Sequence, residues 1–244
     1  MLSPFILIFA TFATPSAFAN GVPAAELASR YGLATSTSFP FPSATQPSSS
    51  AQSLIVSQWS LGKGHIQEGK ENLAFVPDPF PNKPAPNSQS TTNPSNPVLQ
   101  VTYEAGSFSH QTGGSQWYNL WNTTDASTFQ TMIASYEVAF DEGFPWVKGG
   151  KLPGLRGGLN STGCSGGTQS DGKDCFSTRL MWRTDGAGEG KFVSYDCDAL
   201  LHILSTVYAY IPPANNLCNQ KDVTCNSDSG ISIARGAFSF VSGQ

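Results

Sequence analysis

Ser177-Thr-Arg-Leu-Met-Trp-Arg183 is a stretch in which two kinds of side chain alternate. The odd-numbered positions are mainly polar, whereas the even-numbered positions Thr178, Leu180 and Trp182 are mainly apolar. Because successive side chains of a β-strand point to opposite faces, this pattern predicts a strand with one polar and one apolar face. Such a strand presents its polar face to a groove and its apolar face to a core.

Further short strands are predicted on both sides of this stretch. Glycine and proline separate them, and long helices are not evident, so we expect an all-β fold, a jelly-roll β-sandwich. Leu54–Val56 is short enough to be either a strand or a turn of helix. The predicted strands are Val98–Tyr103, Tyr136–Phe140, Val207–Ile211 and Ile231–Val241.

The N-terminus has the features of a secretory signal peptide. An apolar run at Phe5–Ala13 is too short to span a bilayer, and it is followed by the A-x-A pattern Ala17-Phe-Ala19. We expect cleavage after Ala19, a secreted extracellular protein and no membrane segment after cleavage. An N-terminal anchor is the alternative.

Composition divides the remaining chain into two parts. Residues 20–97 are rich in Ser and Pro, and the stretches 36–53 and 77–97 are interpreted as linkers or loops. Residues 98–244 are predicted to form the folded β domain.

The charge balance limits the possible partners. Charged residues make up 12% of the chain and the net charge is −4, so no basic footprint for nucleic acid is present. An acidic polymer would have to be bound by a local cationic groove.

The five cysteines are typical of an oxidising compartment. Their spacing predicts disulfides Cys164–Cys175 and Cys218–Cys225, and it leaves Cys197 over. Scattered histidines and the absence of a CxxC pair argue against a zinc site. Asn122-Thr-Thr and Asn160-Ser-Thr are potential glycosylation sites.

Three features of the chain together predict a chemistry. Residues 146–158 combine many glycines with the cations Lys148, Lys151 and Arg156, Ser177-x-Arg179 lies on a strand face, and Tyr208-Ala-Tyr210 places two tyrosines on one face. Each alone is compatible with ordinary loop or strand packing. Together they suit β-elimination of a uronate, in which Lys and Arg neutralise the carboxylate while tyrosine transfers protons without a metal or cofactor.

These segments resemble polysaccharide lyase family 14, which includes alginate and glucuronate lyases and many secreted fungal proteins. The resemblance runs from about Tyr103 to Gln244 and implies a jelly roll whose concave sheet binds an acidic polysaccharide. It is carried by Lys148-Gly-Gly-Lys-Leu-Pro-Gly-Leu155, Cys164-Ser-Gly-Gly167, Phe176-Ser-Thr-Arg-Leu-Met-Trp-Arg183 and Tyr208-Ala-Tyr210.

The resemblance also implies roles for individual residues. Lys151 would bind the uronate carboxylate, Arg179 and Ser177 would orient the sugar, and Tyr208 and Tyr210 would carry the proton transfers. Of the two tyrosines, Tyr210 is the weaker candidate for sole base. The further cations Lys148 and Arg183 are expected to contact the substrate.

The chain departs from the family pattern at two places. In the family the tyrosine pair closely follows a Gly-x-Gly-Glu turn, whereas here residues 190–206 stand between Glu189 and Val207. Codons with splice-site-like sequences can encode both ends, so we hypothesise a retained intron or gene-model error, with a genuine loop insertion as the alternative. Family members also continue beyond Gln244, so we expect the sandwich to be incomplete there.

Two other functions are compatible with the same sequence. A non-catalytic carbohydrate-binding jelly roll would use the same groove without proton transfer. A glycoside hydrolase would need two carboxylates across a cleft, for which Glu137 and Asp141 are the weak candidates. In all cases we expect a monomer.

Overall fold

The computed structural model shows two compact units. The α2 unit comprises residues 33–145 and 241–244, and the sheet unit comprises the chain up to residue 32 together with 146–240. No helix in the described part of the chain is both long and apolar enough to cross a membrane. The signal-peptide prediction lies outside that part, which is residues 24–80, 97–122, 129, 131–159, 163–168, 170–189, 207–211, 216–221, 223–226, 230–233 and 235–243.

The α2 unit is built on one helix and one hairpin-like strand pair. Helix α2 is Ser48–Gln58, and strands β1 (Leu73–Val76) and β2 (Val98–Val101) pair antiparallel. A 3-10 turn at Lys70–Asn72 and the short helix α3 (Ser109–Thr112) complete its regular structure among the described residues. The strand prediction that began at Val98 is confirmed.

Helix α2 forms because Ala51 and Ile55 of the helix, and Trp59 directly after it, share one face. Ala51, Ile55 and Trp59 are spaced four apart and all are buried, together with Leu73 and Phe75 of β1. The linker interpretation of residues 36–53 is therefore wrong from Ser48 onward, because burial of this face outweighs the weak helix propensity of serine. Leu54–Val56 is helix, not strand.

The predicted strand Tyr136–Phe140 is also wrong. Residues 131–140 have no regular secondary structure. Phe140 instead packs on Phe144, with ring centroids 5.0 Å apart, and the Phe144 amide donates to the Asp141 carbonyl in a turn. The aromatic residues of this segment thus serve a local turn and not a sheet ladder.

The sheet unit contains two antiparallel sheets. Their strand orders are β4-β5-β8-β10-β9 and β11-β7-β6-β3, which confirms the predicted all-β jelly-roll class. Outside the sheets lie helix α1 (Ala24–Arg30) and 3-10 turns at Thr184–Gly186 and Leu217–Asn219. The strands are β3 (Gly150–Lys151), β4 (Arg156–Gly158), β5 (Cys175–Arg179), β6 (Met181–Trp182), β7 (Ala187–Glu189), β8 (Val207–Tyr210), β9 (Val223–Cys225), β10 (Ile231–Ile233) and β11 (Arg235–Ser239).

Both predicted disulfides are present. Cys164–Cys175 joins the segment after β4 to the start of β5, and Cys218–Cys225 closes a short loop at β9. Cys197 lies outside the described residues.

Strands β7 and β8 have matching registers against one continuous partner. Met181 of β6 pairs with Glu189, and Arg179, two residues earlier on β5, pairs with Tyr208. Between these two pairs the β5–β6 segment changes by two residues, whereas its partner changes by nineteen, from Glu189 to Tyr208. In an unbroken hairpin the partner would also change by two. The excess is seventeen residues, the length of the segment 190–206. In register, Val207 takes the position directly after Glu189.

Candidate active site

Polar residues form two neighbouring rows across the five-stranded sheet. The first row runs Arg156, Ser177, Tyr210 on β4, β5 and β8. Paired residues of antiparallel strands lie side by side on the same face, so the register alone brings these positions together. The second row runs from Arg179 on β5 to its partners Tyr208, Ser232 and Thr224 on β8, β10 and β9.

Ser177 is the buried centre of the first row. It is only 3% exposed, and its hydroxyl donates to the Cys164 carbonyl at 2.6 Å. The same oxygen accepts a hydrogen bond from Nη2 of Arg179 at 2.8 Å. Because a serine hydroxyl has one proton, the bond to Cys164 leaves the oxygen as acceptor for the guanidinium. Ser177 therefore orients Arg179.

Arg179 also contacts the ring of Tyr210. Its guanidinium carbon lies 5.4 Å from the ring centroid, within the range of a cation–π interaction. The guanidinium is thus held on two sides, by a hydroxyl and by an aromatic face. A planar, permanently charged fork fixed in this way suits bidentate recognition of a carboxylate.

Tyr210 is more enclosed than a groove-lining side chain would be. It is 6% exposed and packs with the Cys164–Cys175 disulfide. Its phenolic oxygen accepts a hydrogen bond from the Gly167 amide at 3.1 Å. The loop that contains Gly167 therefore lies against the end of the first row.

The remaining predicted cations lie beside the four-stranded sheet. Lys151 is exposed on β3, opposite Met181, and its position is two residues along the β5–β6 segment from that of Arg179. Two residues of strand correspond to about 7 Å. Lys148 precedes β3, and half-buried Arg183 follows β6. The structure therefore joins Ser177, Arg179 and Tyr210 by contact. It relates Lys151 to them by strand register, and Lys148 and Arg183 only by their places in the chain next to β3 and β6.

The glycines around Lys151 pack against strands. A Cβ at Gly150 would lie 2.0 Å from the Trp182 ring, and one at Gly158 would lie 2.1 Å from the Asp174 carbonyl. The glycine-rich segment 146–158 contains two short strands, β3 and β4, which pair closely with β6 and β5 respectively. Glycine at these two positions permits that approach.

The sequence patterns predicted no individual role for Arg156 and did not identify Ser232. Arg156 was visible only as one of three cations in a glycine-rich segment. Its place beside Ser177 depends on strand register, which the sequence does not fix without the turn geometry. Ser232, in the second row, carries no signal of its own in the sequence.

Carboxylates and metal ligands show no comparable arrangement in the described residues. No group of three or more His, Cys, Asp and Glu side chains could hold a metal ion there. Glu137 and Asp141 are both exposed residues of the α2 unit, and partial burial raises the pKa of Glu137. Asp141 lines a shallow depression beside Glu142, its neighbour in the chain.

A family model and a solved structure both relate this chain to the same family of proteins. The family model for polysaccharide lyase 14 matches residues 91–197 and 203–244. The crystal structure of a marine PL-14 alginate lyase from Aplysia kurodai is similar, with 26% sequence identity and a TM-score of 0.50, over 86% of this chain and 67% of that one. No curated protein matches significantly.

Proposed function

The chain belongs to polysaccharide lyase family 14, and we propose that it cleaves a uronate-containing polysaccharide by β-elimination. The observation that carries the proposal is the guanidinium of Arg179, held by Ser177 at 2.8 Å and by the ring of Tyr210 at 5.4 Å. Elimination next to a carboxylate requires such a fixed cation, and it also requires a proton-transfer group, for which Tyr208, the register partner of Arg179, is available.

The reaction assigns a separate task to each kind of group. A base removes the proton from C5 of the uronate, and the electron pair forms the C4=C5 double bond. The C4–O4 bond breaks at the same time, and an acid returns a proton to O4. A cation on the carboxylate stabilises the negative charge that develops as the C5 proton leaves. In this proposal Arg179 and Lys151 supply that charge.

Tyr208 is our candidate for the proton transfers. Its backbone pairs with Arg179, so it stands at the register position nearest the proposed carboxylate site. Tyr210 is the weaker candidate for the catalytic base, because its phenolic oxygen already accepts a hydrogen bond from the Gly167 amide and only 6% of its surface is exposed. We assign Tyr210 to holding Arg179, and Lys148 and Arg183 to contacting neighbouring sugars.

We further propose that residues 190–206 are an insertion into a single strand. Support comes from the two ladders, which fall into one register when seventeen residues are omitted. Strands β7 and β8 are then two halves of one strand along the β5–β6 segment. A genuine loop and a retained intron both fit this register, and transcript reads through all seventeen codons would exclude the intron.

We propose an extracellular location and an acidic polysaccharide as substrate. The two disulfides support the location, because such bonds persist in oxidising compartments. The acidic substrate is inferred from the cations Arg179, Lys151, Lys148 and Arg183 and from the family. Alginate is the first polymer to test, since the Aplysia kurodai protein is an alginate lyase, and glucuronan is the second.

The test is formation of the unsaturated uronide, followed by the ultraviolet absorbance of its conjugated double bond. The full chain and a version lacking residues 190–206 are incubated with alginate and with glucuronan, beside Tyr208→Phe and Lys151→Ala. We expect product from at least one parent chain, and a fall of about a hundredfold or more in Tyr208→Phe. Folded protein that gives no product in any version would overturn the proposal.

A carbohydrate-binding protein without catalysis is the second candidate. The enclosed Tyr210 favours it, since a buried phenol engaged by a backbone amide is poorly placed for proton transfer. This candidate predicts retention on an alginate affinity gel, loss of retention in Arg179→Ala, and no product.

A further inference from the structure

One short loop is attached to all three residues of the first row. Arg156 donates from Nη2 to the Gly163 carbonyl at 2.6 Å, Ser177 donates to the Cys164 carbonyl at 2.6 Å, and the Gly167 amide donates to Tyr210 at 3.1 Å. We call residues 163–168 the clamp loop.

The clamp loop is also held covalently and has an unfavourable backbone. The disulfide to Cys175 ties it to the start of β5, and Cys164 is completely buried. Cys164 has φ of 53°, in the left-handed region that few residues other than glycine adopt. A residue other than glycine keeps this backbone conformation only where contacts with the surrounding structure hold it there. The hydrogen bonds from the sheet are therefore part of what fixes the loop.

The position of the clamp loop determines where the guanidinium of Arg179 lies. The Cys164 carbonyl accepts a hydrogen bond from the Ser177 hydroxyl, which has only one proton to donate. The lone pairs of the hydroxyl oxygen are therefore directed to Arg179. A displaced loop would free that hydroxyl to rotate, and it would withdraw the Gly167 amide from Tyr210. Both supports of Arg179 thus depend on the same six residues.

We propose that Arg156 is a positioning residue of the lyase site, acting through the clamp loop. Arg156 fixes Gly163, the residue directly before Cys164, and its own site is beside Ser177 in the sheet. This role rests on the proposed function. One donor of its guanidinium, on Nη2, bonds a backbone carbonyl of the loop, and through this bond Arg156 acts on turnover by way of Arg179.

The test has one readout that does not need activity. In Arg156→Gln, we expect Cys164–Cys175 to be reduced by dithiothreitol about tenfold faster, because local opening of the loop becomes easier. Cys218–Cys225 is the internal control and should be reduced at an unchanged rate. Peptide mapping of the alkylated cysteines follows both bonds in one sample. Equal rates for Cys164–Cys175 in the variant and the parent would overturn the anchoring role.

The second readout is the kinetics of product formation. In Arg156→Gln we expect kcat to fall about tenfold with KM within about twofold, since a small displacement of a reacting group lowers the rate without removing a substrate contact. Arg156→Lys should recover part of kcat, because lysine retains one donor for Gly163. Lys173→Gln removes an exposed positive charge two residues before Cys175 and is the matched control, with both constants expected to stay as in the parent.

The outcomes separate this inference from the proposed function. Faster reduction with unchanged kcat would show a purely structural role and overturn the positioning role. A raised KM with unchanged kcat would make Arg156 a binding residue and also overturn it. Absence of product from every parent chain is the failure of the proposed function. The anchoring of the clamp loop would then still be decided by the reduction rates.

Discussion

The α2 unit and the sheet unit are stabilised by different interactions. In the α2 unit the completely buried residues Ala51, Ile55 and Leu73 are apolar. In the sheet unit, buried Ser170 and Ser177 and a disulfide-bonded loop accompany the apolar residues. Substitution should therefore cost mainly stability in the first unit, whereas in the second it should also displace the groups of the proposed site.

The largest stability effect is expected in the α2 core. Ile55→Ala removes a completely buried side chain and should lower the free energy of unfolding by about 4 kcal/mol, from lost burial and the cavity left behind. Val56→Ala is the matched control, because Val56 is the next residue of the same helix and is 40% exposed. Urea unfolding measures both. Equal losses in the two variants would contradict the assigned core.

Removal of the clamp-loop disulfide should affect the sheet unit selectively. Cys164→Ser with Cys175→Ser should lower stability by about 3 kcal/mol, the effect expected for a loop of this size. Hydrogen exchange should accelerate in β4 and β5 and stay unchanged in α2. The control pair, Cys218→Ser with Cys225→Ser, should leave β4 and β5 protected. Acceleration throughout α2 would mean that the two units do not differ as described.

Deletion of residues 190–206 should join β7 to β8 in one register. Shortening the connection between β7 and β8 by seventeen residues spares a closure entropy of about 2.5 kcal/mol, so the unfolding midpoint should rise. A control that deletes residues 191–206 would shift the register by one and reverse the faces of β8. It should be less stable than the parent. If the two deletions behave alike, the continuous-strand proposal is wrong.

The smallest effect concerns alkaline pH and the α2 unit. Burial raises the pKa of Tyr136 above its ordinary value, so the unfolded chain loses this proton at lower pH than the folded chain. The folded state therefore keeps its full stability below the ordinary tyrosine pKa of about 10, and it loses stability as pH rises from there toward the raised pKa of folded Tyr136. Tyr136→Phe should make unfolding less sensitive to pH above that value. An unchanged pH dependence would count against this burial.

The sequence predicted those features that depend on local pattern. Alternation identified β5 and β6, and cysteine spacing identified both disulfides. The sequence did not predict helix α2, because its serine-rich composition obscured the spacing of Ala51, Ile55 and Trp59. Burial of these three side chains stabilises the helix. Aromatic alternation at Tyr136–Phe140 was misleading, since Phe140 packs on a neighbour four residues away.

The site could be predicted only in part, for a related reason. Residue types and the family resemblance pointed to Arg179 and the tyrosines, and their adjacency follows from the β5–β8 register. The bonds that hold Arg179 involve a backbone carbonyl of Cys164 and a backbone amide of Gly167. Every residue has such groups, so side-chain patterns could not identify them, and the role of Arg156 depends on them.

The most direct test of the central claim is the rate of unsaturated uronide formation by Arg179→Lys. Lysine keeps the positive charge but loses the planar fork that Ser177 orients and Tyr210 supports. Measured in whichever parent chain is active, with Lys173→Gln as control, the account predicts a rate about a hundredfold lower. A rate within about twofold of the parent would contradict the claim that a fixed guanidinium at this position drives the elimination.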